Sequence, residues 1–176
     1  MEKKYRIAVV GCGAVSHHWL RYVTTRDDIE IVSLVDPNKA NAEDKKSRYG
    51  LHCPIYSDLT TALKETSPNL LFDLTYVTTH VDIVTQALKA GCNVFGEKPM
   101  ALTREQAEKM VLTARETKKT YSVLQNRRYV KGLRALKEIV ASGVIGKPGF
   151  VCADIFTGEW VETSIRNQLK KTHAHG

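Results

Sequence analysis

A doubly wound, mostly parallel α/β sheet, followed by a fragment of an α+β second domain, is the architecture expected for this chain. Three observations carry that expectation. Short β-branched apolar runs alternate with longer amphipathic stretches over the first 125 residues. Those runs are apolar on both faces, as strands buried between two layers of helices must be. A glycine-rich turn follows the first run directly.

The elements follow in order. Residues 6–10 form the first strand, and residues 14–25 leave room for three helical turns. The second strand covers residues 30–36 and is ended by Pro37 and Asn38. Residues 39–49 read as a polar surface helix. A short third strand at residues 54–56 precedes a helix whose N-cap is Ser57 or Asp58. Residues 69–73 are the fourth strand, and residues 81–90 a helix stopped by Gly91. The fifth strand is 93–95. A capping box from Thr103 to Gln106 opens a helix running to about Thr117, and residues 121–124 are the sixth strand. Residues 130–142 form a further amphipathic helix, with Leu133, Leu136, Ile139 and Val140 on one stripe and Gly143 as its stop. Residues 149–156 alternate loosely, like a strand. The organisation expected is therefore 1–125, 126–158 as the start of a second domain, and 159–176 as a polar tail.

Composition narrows the class. The chain has 176 residues, 43% hydrophobic and 26% charged, which suits a globular protein and excludes global disorder. No apolar run approaches the ~18–20 residues that span a membrane, and residues 1–5 lead into a strand with no signal-peptide core, so a cytoplasmic location is expected. Cys12, Cys53, Cys92 and Cys152 form no Cys-x-x-Cys pair, so neither a metal site nor a redox motif is expected. Net charge is +7, of which residues 121–176 carry 9 basic against 4 acidic groups. These basic residues stand mostly singly and without interleaved aromatics, so no nucleic-acid partner is expected.

Two segments carry chemistry. Residues 9–16 read VVGCGAVS, a Gly-x-Gly-x-x-small turn between a strand and a helix. Gly11 permits the tight turn, Gly13 keeps a side chain away from a pyrophosphate, and Ser16 lets helix and strand pack closely. The helix N-terminus offers free N–H groups to phosphates. Asp36, at the tip of the second strand, can accept both hydroxyls of an adenosine ribose and repels a 2′-phosphate. This is the pattern of a dinucleotide-binding Rossmann domain. NAD is favoured as the cofactor, with Lys39 keeping NADP open. At the carboxyl end of the fifth strand stands GEKPMA, residues 96–101, where Lys98 is a cation placed to donate to a substrate hydroxyl or carbonyl.

Together with these segments, IAVVGCGAV (7–15), VDP (35–37), LLFDLT (70–75) with His80, ALKAGCNVFGEKPMA (87–101) and QNRRY (125–129) resemble the Gfo/Idh/MocA family of oxidoreductases. The resemblance implies NAD(P)-dependent oxidation of a secondary alcohol on a sugar, inositol or related polyol by hydride transfer. It implies that Gly11, Gly13, Ala14 and Val15 line the pyrophosphate loop and that Asp36 takes the adenosine ribose. Thr75 would sit beside the nicotinamide ribose. Glu97 and Lys98 would lie at the nicotinamide end, with Lys98 supporting proton removal. Asn126, Arg127 and Arg128 would enter the edge of the substrate pocket, Arg128 equally open to a structural salt bridge. His80 is expected to cap or pack rather than catalyse.

The chain also departs from the family. Its members are roughly twice as long, and their second domain supplies an Asp/His pair that has no counterpart here. His173 and His175 read as part of a tail. A premature stop or frame change is one expectation. Weak or absent turnover with retained cofactor affinity follows from it, with a non-catalytic NAD(P)-binding module or a subunit needing a partner chain as the alternatives. Pairing of residues 150–156 between two copies, giving a homo-oligomer, is a further expectation.

Overall fold

The computed structural model describes residues 5–154 and divides the chain into two units at Arg127 and Arg128. The first unit contains six strands: β1 (Tyr5–Val10), β2 (Ile29–Val35), β3 (Ile55–Tyr56), β4 (Leu70–Asp73), β5 (Asn93–Gly96) and β6 (Tyr121–Val123). All pair in parallel, in the order β3-β2-β1-β4-β5-β6. Five helices alternate with them: α1 (Ser16–Val23), α2 (Lys39–Arg48), α3 (Leu59–Thr66), α4 (His80–Lys89) and α5 (Arg104–Thr117). The chain runs outward from β1 to β3, then crosses to β4 on the other side of β1. The reversal opens a crevice at the carboxyl ends of β1 and β4, which is where open α/β sheets bind ligands.

Strand periodicity divides the core in two. Ile7 and Val9 face α1 and α2, where they pack with Leu20, Val23, Ala42 and Phe72. Ala8 and Val10 face α3, α4 and α5, where they pack with Leu63, Val84, Leu88 and Met110. Full burial of a leucine such as Leu88 stabilises by roughly 1.5–3 kcal/mol. This two-sided burial is why the strands read as continuous apolar runs.

Helix starts follow the sequence with two shifts. The Asp58 carboxylate accepts from Thr61 N at 2.9 Å and caps α3. Thr103 Oγ1 accepts from Gln106 N at 3.3 Å, but Gln106 Oε1 accepts from Leu102 N and not from Thr103 N, so the return arm of the expected capping box lands one residue early. The first helix, expected over residues 14–25, begins at Ser16, because no side chain caps it at Val15 and residues 14–15 remain a turn.

Gly11 holds the crevice together. Its N–H donates to Val35 O at 2.8 Å, and its φ is +88°. A Cβ there would lie 2.8 Å from both the carbonyl carbon and the oxygen of Leu74, and 3.0 Å from Thr75 Cγ2. The β1 and β4 loops therefore approach to a distance that only glycine allows.

In the second unit, after a 3-10 turn at Asn126–Tyr129, α6 (Lys131–Ala141) exposes Leu133, Leu136, Ile139 and Val140 on one stripe. Gly143 follows in the left-handed region, as expected for a helix stop. The strand expected at 149–156 is not found over 149–154, which are irregular. A strand exists through its ladder, and no neighbouring strand pairs with these residues among those described. Residues 155–156, Glu159, His173 and His175, and the expected tail lie outside the described residues.

Two outcomes follow. Gly11→Ala combines a positive φ with a backbone clash, so urea unfolding should show a loss of about 2–4 kcal/mol. Burial pushes the thiols of Cys12 and Cys92 up to about 12 and about 11, and raises Cys53, so little thiolate forms at these positions. In the folded protein at pH 8 a disulfide-exchange reagent should titrate Cys152, which is exposed, rapidly, and Cys12, Cys53 and Cys92 only after denaturation.

Candidate dinucleotide site

The strand tips present two groups of residues. The first is built mainly by the backbone. Asp36, the residue after β2, is buried, and its Oδ2 accepts the Cys12 N–H at 2.8 Å. Its Oδ1 accepts Asn38 N–H at 2.8 Å, and Asn41 Nδ2 lies 3.4 Å from both oxygens. The carboxylate thus fixes the glycine-rich turn to the tip of β2. Gly13, Ala14 and Val15 are exposed, and a Cβ on Gly13 would meet nothing within 4 Å. The open space at Gly13 is a cradle that a side chain would fill, and it fits a pyrophosphate at the amino end of α1. Ser16 is fully buried and its hydroxyl donates to Gly13 O at 2.7 Å, so it locks the turn as well as keeping the packing close.

The second group is built by side chains at the tips of β4 and β5. Thr75 donates to Asp73 Oδ1 through its hydroxyl at 2.6 Å and its N–H at 3.2 Å. The Thr75 hydroxyl accepts from Thr79 Oγ1 at 2.8 Å. Glu97 N–H donates to Asp73 O at 2.9 Å. The Glu97 carboxylate accepts from Trp19 Nε1 at 2.8 Å and from Lys98 N–H at 3.2 Å. Lys98 is exposed, and its peptide bond to Pro99 is cis. His80, the first residue of α4, is buried, with Nδ1 3.1 Å from Pro99 O and Nε2 3.2 Å from Thr75 O.

Burial sets the electrostatics here. It raises the Asp73 carboxyl above its ordinary range, against the pull of His80 and the hydrogen bonds from Thr75. Burial and the Asp73 charge push the Tyr121 phenol up to about 12. The same burial, with Asp36 beside it, removes Cys12 as a nucleophile.

The structure therefore brings Gly11, Gly13, Ala14, Val15, Asp36, Thr75, Glu97 and Lys98 to the carboxyl edge of one sheet. Asn126 follows β6 at that same edge and is exposed. Arg128 belongs to the second unit, where its guanidinium lies 5.8 Å from the Tyr129 ring centroid. Sequence reasoning missed Asp73 and Trp19. Asp73 had a signal, a lone acid at the end of an apolar strand. Trp19 had none beyond its place on an amphipathic helix. An apolar groove of 480 Å³ lined by Trp19, Phe72 and Phe95 lies on the sheet face beside α1 and contains neither Gly13 nor Lys98. Among the described residues no group of His, Cys, Asp or Glu could hold a metal ion, and no helix is long and apolar enough to cross a membrane.

Comparison with known proteins agrees with this geometry. D-glucoside 3-dehydrogenase of Escherichia coli K12 is 32% identical over 143 residues, which is 81% of this chain and 40% of that protein. An inositol 2-dehydrogenase/D-chiro-inositol 3-dehydrogenase of Lacticaseibacillus casei is 32% identical over 147 residues, 81% of this chain and 42% of that protein. The chain thus spans about two fifths of the length of the curated relatives it matches. Among solved structures, the WlbA dehydrogenase of Bordetella pertussis, in complex with NADH and UDP-GlcNAcA, superposes with a TM-score of 0.77 at 26% identity, covering 82% of this chain and 44% of that one. Myo-inositol 2-dehydrogenase of Lactobacillus plantarum shares the fold, with a TM-score of 0.76 at 24% identity over 82% of this chain and 43% of that one. The model for an oxidoreductase family with an NAD-binding Rossmann fold matches residues 5–125, and the chain belongs to that family, Gfo/Idh/MocA.

Proposed function

We propose that this chain binds NAD through its first unit and serves the oxidation of a secondary alcohol on a sugar, inositol or related polyol. The observation that carries the reading is the Gly11–Cys12–Gly13 turn, tied to Asp36 and open at Gly13, at the point where the strand order reverses. Gly13, Ala14 and Val15 would meet the pyrophosphate and Asp36 the adenosine ribose. Thr75 and Glu97 would meet the nicotinamide half. The bound cofactor supplies the hydride acceptor. Lys98, exposed at the tip of β5, would hold the substrate hydroxyl and ease removal of its proton. Asn126, which follows β6 at the same edge, would contribute to the substrate side. The relatives acting on inositols and a glucoside favour a polyol as substrate.

NAD is preferred over NADP for an electrostatic reason. A 2′-phosphate at the tip of β2 would face the buried Asp36 carboxylate. Lys39, the nearby cation, already pairs with Glu43 at 3.8 Å.

Fluorescence titration tests the binding. NADH should bind at least about tenfold more tightly than NADPH, the equivalent of one unfavourable charge contact. Gly13→Val should leave the melting temperature nearly unchanged, since its Cβ enters open space, and should weaken NADH binding by more than about tenfold. Normal NADH affinity in that variant would sink the reading. Turnover is read with NAD and myo-inositol or a D-glucoside. Lys98→Met should then lower kcat/KM by about 10²–10⁴ while leaving NADH affinity within about twofold.

A further inference from the structure

We infer that His80, backed by Asp73, is a positioning residue that clamps the β4 tip to the β5 tip and so sets where Thr75 and Lys98 stand. His80 reaches two loops at once. Nε2 faces Thr75 O at 3.2 Å and Nδ1 faces Pro99 O at 3.1 Å, a residue pair otherwise 24 positions apart in sequence. Both partners are carbonyl oxygens, which only accept. Each ring nitrogen thus meets one of the two loops, and Asp73 Oδ2 lies 4.0 Å from Nε2.

Asp73 completes the clamp from the other side. Its Oδ1 takes both donors of Thr75, and its backbone oxygen takes the N–H of Glu97. Its Oδ2 is buried and accepts no hydrogen bond among the described residues, so it is free to face the ring. Both side chains are almost fully buried, at 0% and 1% exposure. The tip of β4, the start of α4 and the turn after β5 are thereby one hydrogen-bonded unit. The β4 tip packs against Gly11, but the clamp makes no hydrogen bond to the turn at Cys12 and Gly13, which Asp36 ties down from the β2 side.

The inference rests on the assignment of the β4 and β5 tips to the nicotinamide half. It predicts a split between two ligands. ADP fills only the half held by Gly13 and Asp36, whereas NADH, with its second ribose and nicotinamide, fills both. His80→Phe keeps a ring and removes both ring nitrogens. In the full chain it should weaken NADH binding by about tenfold and ADP binding by less than about twofold. Asp73→Asn should act in the same direction. Asp58→Ala, which removes the cap of α3 and bonds to neither loop, supplies a comparable loss of melting temperature and should leave the ratio of the two affinities unchanged. Amide exchange at residues 98–102 of the ligand-free chain should quicken by about tenfold in His80→Phe. Unchanged exchange overturns the clamp. Faster exchange with equal losses for both ligands, or with no loss for either, overturns the positioning role. If the unaltered chain binds neither ADP nor NADH, the functional reading falls, and the cofactor role of the clamp falls with it.

Discussion

Everything at the strand tips depends on the closeness of Gly11 to the Leu74 carbonyl. The β1 and β4 loops touch backbone to backbone, because the missing Cβ of Gly11 is the only space between them. That contact fixes the first loop against the second. From it the other ties extend outward: Gly11 N–H to Val35, Cys12 N–H to Asp36, and Leu74 N–H to Val10. A side chain at position 11 would separate the two strands at the reversal of the sheet order, the one place where a ligand can lie across several strand ends.

Around that contact the two halves of the site are made of different materials. The half at β1 and β2 is backbone amides, a bare glycine and one carboxylate. The half at β4 and β5 is a side-chain network of Asp73, Thr75, Thr79, His80, Trp19 and Glu97. Backbone geometry survives most substitutions. A buried network does not, because removing one member leaves the others desolvated and unpaired, at about 1–3 kcal/mol for each orphaned group. The first half is therefore robust to change except at Gly11, Gly13 and Asp36, and the second half is most sensitive at Asp73 and His80, its buried members.

This difference also decided what could be read from sequence. The six strands, the five helices between them, the glycine turn and Asp36 are local signals: apolar runs, capping residues, and a glycine pair at fixed spacing. They were legible from position 5 to the end of β6. The Trp19–Glu97 bond joins residues 78 positions apart, and His80 meets Pro99 across 19. Nothing local marks such partners, so His80 read as a capping or packing residue with no partner named and Trp19 went unremarked. Gln106 shows the finer limit, since its spacing from Thr103 was right and yet its carbonyl oxygen chose the amide of Leu102. Over residues 149–154 the loosely alternating pattern read as a strand. A pattern supplies a face but not the neighbour whose amides complete a ladder.

The side-chain half has a consequence for how the chain would select its chemistry. Lys98 itself is exposed and forms no ion pair among the described residues, so its own position is set by the turn that carries it. That turn is held at its two ends, by Glu97 N–H on Asp73 O and by Pro99 O on His80. A flexible four-carbon stem on a loose turn would spread the ammonium over several ångströms, and a misplacement of about 1 Å is enough to cost orders of magnitude in a proton-transfer step. Rigidity for Lys98 is thus supplied from beneath, by groups that never touch the solvent. Asp73 is the member common to both attachments, through its backbone oxygen to Glu97 and through its carboxylate to His80. The acid at the end of an otherwise apolar strand ties down the turn that carries the exposed Lys98.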